Sequence, residues 1–126
     1  MRTAGQDRLF VPLSAEAFGW WKSGRKRWEV RKDAKRWGKQ HVRDGRRVEL
    51  RLGYSGPSLW GAVGCIVRGQ LPAVVMMLGT DGIAPGVTRD VVQDVIQRAV
   101  GVDACAEDAR VVAFGVILDP GQGAGE

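Results

Sequence analysis

The chain has 126 residues and a mass of 13.7 kDa, which suits one domain that buries roughly two-thirds of its unfolded surface, so its folding requires no metal or disulfide. Two distant cysteines, Cys65 and Cys105, and a single histidine, His41, exclude a zinc site of the usual spacing, and no run approaches the roughly 18 apolar residues of a membrane span. The net charge is +5, but residues 22–51 hold 13 basic against 4 acidic residues, a local +9, whereas residues 71–126 hold 3 against 8, a local −5.

In chain order, residues 9–13 (LFVPL) predict a short apolar strand. Ser14 is a good helix N-cap, and a helix over residues 15–22 is stopped by Gly24. Residues 26–31 alternate in the manner of a strand, with Trp28 and Val30 facing one way and Glu29 and Arg31 the other. Residues 33–38 read as an irregular or single-turn segment, and Asp44-Gly45 as a turn ahead of the strand RRVELRL, with Val48, Leu50 and Leu52 pointing inward. The glycine-rich loop GYSGP leads to a strand over residues 59–67, in which Gly61 and Gly64 predict a bend or bulge.

Residues 71–78 are apolar on all sides and fit a buried helix or a buried strand. A loop follows, then a helix over residues 89–100 capped by Thr88, then a buried strand over residues 110–118. The expected organisation is one α+β domain over residues 1–118, built on a small curled antiparallel sheet or barrel with flanking helices, and a flexible glycine-rich tail over residues 119–126. The cysteines read as buried or half-buried thiols in a reducing compartment, and the lack of an apolar leader points to a cytoplasmic protein.

The segment Gly24-Arg25-Lys26-Arg27-Trp28-Glu29-Val30-Arg31 resembles the GxKxxExR signature of the ASCH domain, a family of PUA-like β-barrels. The context is similar too: a strand and a helix precede it, and Asp44-Gly45-Arg46-Arg47-Val48 follows in place of the family's Gly-Asp-x-hydrophobic segment, with the first two residues inverted. The resemblance implies a PUA-like antiparallel β-barrel that binds RNA or a modified nucleotide in a cleft beside the signature strand. Some members are amidohydrolases acting on an acylated cytidine, and others are linked to ribonuclease activity. The alternative function is thus a small hydrolase working on a modified nucleoside or on RNA in the same cleft. The hydrolytic members carry a threonine nucleophile three positions after the signature lysine; here that position is Glu29.

Nucleic-acid contacts are expected from Lys26, Glu29, Arg31, Lys32, Lys35, Arg36 and Trp37. Glu29, among five cations, should stay ionised, and it either accepts from a base, holds Lys26 and Arg31 in place, or ties the barrel together as a salt bridge. Lys26 could reach a phosphate or a substrate carbonyl. Trp37, between Arg36 and Gly38, is the residue read as stacking on an unpaired base, while Trp20, Trp28 and Trp60 read as core. If there is catalysis, its candidates are Lys26, Glu29, Tyr54 and Ser55; no metal or cofactor is called for.

Overall fold

The computed structural model describes residues 8–87 and 110–122; the helix read over residues 89–100 with its cap Thr88, and Cys105, lie outside them. The described elements are β1 (Leu9–Leu13), α1 (Ala15–Lys22), β2 (Glu29–Lys32), β3 (Arg47–Leu52), β4 (Ser58–Gln70), α2 (Leu71–Leu78) and β5 (Arg110–Leu118), with one 3-10 turn at Lys35–Trp37. The strands form one curled sheet in the order β1-β3-β4-β5-β2, a half-barrel. Three pairings are antiparallel, but β1 runs parallel to β3, so the sheet is mixed rather than antiparallel throughout. The parallel pair arises because the chain crosses to the opposite edge of the sheet, as α1 and β2, before it returns as β3.

Each local choice has a sequence cause. Ser14 Oγ accepts from the Ala17 amide at 3.2 Å, which satisfies one of the orphan donors of α1 and contributes about 1 kcal/mol. Gly24 then takes φ +78°, a left-handed conformation open to glycine at no cost, and the chain reverses. The apolar run over residues 71–78 is a helix, begun by a proline in its first turn. Along β5 the alternation divides two cores. Val112 and Phe114 enter the half-barrel with Val11, Leu50 and Val63, while Val111 and Ala113 face α2, Val30 and Ile83. That is why the strand reads as continuously apolar: both of its faces are covered.

Some expectations need correcting. The signature strand begins at Glu29 rather than Lys26, because the Lys26 amide is turned to the Trp20 carbonyl and those of Arg27 and Trp28 to the Gly82 carbonyl. Trp21 is the tryptophan buried in the half-barrel; Trp20 and Trp28 are half-buried against the second core, and Trp60 is half-buried on the sheet face opposite Leu59, outside both cores. The bulge is where Gly64 placed it: the β4–β5 register shifts between Val63 and Ile66, so that Gly64 and Cys65 together stand opposite Gly115. Cys65 is consequently exposed and not buried. Asp119 and Gln122, read as the start of a free tail, are tied down: Arg47 makes a two-pronged ion pair with Asp119, and the Trp60 amide donates to Gln122 Oε1 at 2.8 Å.

Candidate functional site

The half-barrel is open between its edge strands, β1 and β2. No backbone ladder joins them, and side chains of the signature span the gap instead. Arg31 Nη2 donates to the Pro12 carbonyl at 3.1 Å, and Arg36 Nη2, from the 3-10 turn, to the Phe10 carbonyl at 3.2 Å. Beside this seam lies a cleft of about 290 Å³, whose lining includes Pro12, Ser14, Trp20, Lys26, Glu29 and Arg31. The strand alternation brings Glu29 and Arg31 to the same side, as expected, and the bend at residues 24–28 folds Lys26 back beneath them.

Glu29 is 4% exposed and fully engaged. Oε1 accepts from Trp21 Nε1 at 2.9 Å, and Oε2 accepts from Arg31 Nη2 at 3.0 Å and from Arg31 Nε at 3.3 Å. The Lys26 ammonium lies 3.7 Å from Oε1 and donates to the Ile83 carbonyl. Burial alone would raise the Glu29 carboxyl, and it is the largest single influence. The charges of Lys26 and Arg31, with the hydrogen bonds from Trp21 and Arg31, together outweigh it, and the group titrates below the usual carboxylate range. Lys26 is pulled below the usual lysine range, chiefly by burial and further by Arg31, with Glu29 acting against both.

This geometry bears on the roles open to Glu29. A carboxylate has about four lone-pair sites, and three of these accept from Trp21 and Arg31, with the Lys26 ammonium as an ion-pair partner at 3.7 Å. It therefore holds the two cations in place and offers little to a ligand. Arg31 differs, because its Nε and Nη2 are fixed while Nη1 has no partner among the described residues. A guanidinium immobilised on one side and free on the other is a preorganised donor.

The other expected contacts are more scattered. Lys32, Lys35 and Arg36 are exposed at the end of β2 and in the 3-10 turn, and Lys35 sits at φ 53°, in the left-handed region. The Trp37 ring stacks on Phe114 at 6.1 Å, with the guanidinium carbons of Arg31 and Arg36 at 4.9 and 4.7 Å from its centre. It is thus occupied within the protein, and a base would have to displace an arginine to reach it. Tyr54, 75% exposed, and Ser55 lie in the turn between β3 and β4, outside the cleft lining. The hydroxyl that does line the cleft is Ser14, already used as the helix cap. Sequence reasoning missed Ser14, Trp21 and the Ile83 carbonyl as parts of the site; of these only Ser14, as a cap directly after the strand, left a local signal.

Among the described residues no cluster of three or more histidine, cysteine, aspartate or glutamate side chains forms a metal site, and no helix is long and apolar enough to cross a membrane. No protein-family model matches the chain and no curated protein matches its sequence, but solved structures match its fold. The hypothetical protein PH0355 superposes with a TM-score of 0.72 at 18% identity, over 87% of this chain and 97% of that one. Protein PF0455 from Pyrococcus furiosus gives 0.62 at 18%, over 86% and 94%. The ASCH protein from Zymomonas mobilis gives 0.58 at 14%, over 86% of this chain and 65% of its own length. At these identities the likeness is one of fold. The chain has an ASCH-like fold, in agreement with its GxKxxExR segment.

Proposed function

We propose that this ASCH-like chain binds RNA or a modified nucleotide in the seam cleft. The observation that carries the reading is the half-fixed Arg31, with Nη1 unpartnered among the described residues, set in a cleft walled by Trp20 and Pro12. Guanidinium donors suit a phosphate or the acceptor edge of a base, and the tryptophan offers an aromatic surface. Exposed Lys32, Lys35, Lys39 and Arg43, which have no carboxylate partner among the described residues, extend positive charge away from the cleft.

Salt dependence tests this reading. With about four phosphates contacted on a single strand, raising salt from roughly 50 to 200 mM should lower affinity for single-stranded RNA about 50-fold. Reversing Lys35 and Arg36 to Glu should flatten that slope. Binding that ignores salt, or no binding of RNA or nucleotide at low salt, would sink the proposal.

Hydrolysis of an acylated cytidine is expected to be absent. The position of the nucleophile in the hydrolytic members is Glu29, which here is buried, ionised and already bonded to Trp21 and Arg31. A product assay with acetylated cytidine, run beside a binding titration, checks this; turnover by the wild-type protein would make the hydrolase reading the better one.

A further inference from the structure

The seam cleft is not the largest hollow in the molecule. On the other side of Lys26 lies a groove of about 1010 Å³, against about 290 Å³ for the cleft, and Lys26 lines both. The groove exists because β2 leaves the side of β5 before Gly115, while the bulge at Gly64 and Cys65 bends β4 away. Glycine at 64 and 115 leaves this floor without side chains.

The groove differs from the cleft in chemistry. Its walls include Trp21, Trp28, Ile66, Val116 and Ile117, and Ile117 is 69% exposed, a large apolar side chain that the core does not use. At its rim stands Arg27, exposed and without a carboxylate partner among the described residues; Asp44 is the one acidic residue in the lining given by the described residues. Arg27 and Trp28 also line an adjoining hollow of about 460 Å³, together with Arg25. Residues 24–28 therefore form a ridge on which three hollows meet, with cations along its length.

We infer that the ligand is a single-stranded ribonucleotide segment of two or more residues rather than a free nucleotide. This rests on the proposed role of the cleft. One nucleotide sits in the cleft, where Arg31 and the strand edges offer hydrogen bonds; the strand crosses the ridge with its phosphate beside Arg27; and the next base lies against the apolar walls of the groove. Stacking tolerates every base, so the cleft selects and the groove accepts. The apolar walls of the groove suit a second base, and Arg25 and Arg27 on the ridge suit the phosphate that would join it to the first.

Cys65 supplies the readout, since its exposed thiol lines the groove and not the cleft. In a Cys105→Ser chain, ribonucleoside 5′-monophosphates and ribo-pentamers of each base would be titrated while alkylation of Cys65 by iodoacetamide is followed. Pentamers should bind on the order of tenfold or more tightly than monophosphates, the worth of one stacked base, and should slow alkylation; monophosphates should leave it unchanged. Arg27→Glu should weaken pentamer binding on the order of tenfold and leave monophosphate binding within about twofold. Equal affinities with no protection of Cys65 would overturn this inference and leave the cleft reading standing. Protection by monophosphates would place the single nucleotide in the groove and also overturn it. If neither ligand binds at low salt, the cleft reading and the inference fall together.

Discussion

Replacing Glu29 by Gln should lower the stability of the fold by about 3–5 kcal/mol, the usual loss when one partner of a buried ion pair is removed. The carboxylate is 4% exposed and Lys26 is 8% exposed, so neither water nor a neighbouring acid can take over the lost charge. Glutamine would still accept from Trp21 Nε1, but the Lys26 ammonium and the Arg31 guanidinium would face each other without a counter-charge. Against a typical total of about 5–15 kcal/mol, that is a large share. Urea unfolding gives the number. Adding Lys26→Met in the same chain should recover part of it, because one uncompensated cation is gone. A loss under about 1 kcal/mol in the single variant would show that the network is solvated.

The same group predicts an acid limb. The folded-state pKa of Glu29 lies below its ordinary 4.5, so at low pH the unfolded chain takes up the proton first. Its contribution is fully present above about 4.5 and is lost as pH falls through the lower folded value. Glu29→Gln should remove this limb, so the stability gap between the two proteins narrows in acid. A gap independent of pH would mean that charge is not what the carboxylate contributes.

How far this site was legible in the sequence depends on distance along the chain. Glu29 and Arg31 are two residues apart on a strand, and the period of two puts them together without further information. Ser14 announced its helix, and Gly64 its bulge, by local backbone chemistry. Trp21 is eight residues from its partner Glu29, and Ile83 is 57 from Lys26; those contacts exist only because α1 packs inside the half-barrel and the loop after α2 closes over the ridge. The parallel pairing of β1 with β3 was hidden for the same reason, since strand order carries no local signature. Trp37 illustrates a different limit. Its sequence neighbours, Arg36 and Gly38, fit an exposed stacking platform, but what covers the ring is Phe114, from the last strand.

Phe114 therefore joins the core to the site, and truncating it should be among the costliest changes in the protein. It is fully buried, lies in register between Ile66 of β4 and Glu29 of β2, and supports the Trp37 ring against which Arg31 rests. Phe114→Ala should cost about 3–5 kcal/mol, from lost burial and from the cavity left behind. Phe114→Leu keeps most of the volume and should cost less, leaving a folded chain in which the effect on the site can be read alone. In that chain Trp37 loses its stacking partner, and Arg31 keeps its bonds to Glu29 and Pro12 but not a fixed ring beside it. RNA affinity should then fall several-fold, by about 1 kcal/mol, the scale of an aromatic pair or a cation over a ring. The slope of affinity against salt should stay the same, because no phosphate-facing cation has been removed. Measuring both quantities on Phe114→Leu separates the two roles: a shallower slope would mean that the ring holds Arg31 or Arg36 against a phosphate, whereas lower affinity at an unchanged slope would mean that it shapes the site for the base.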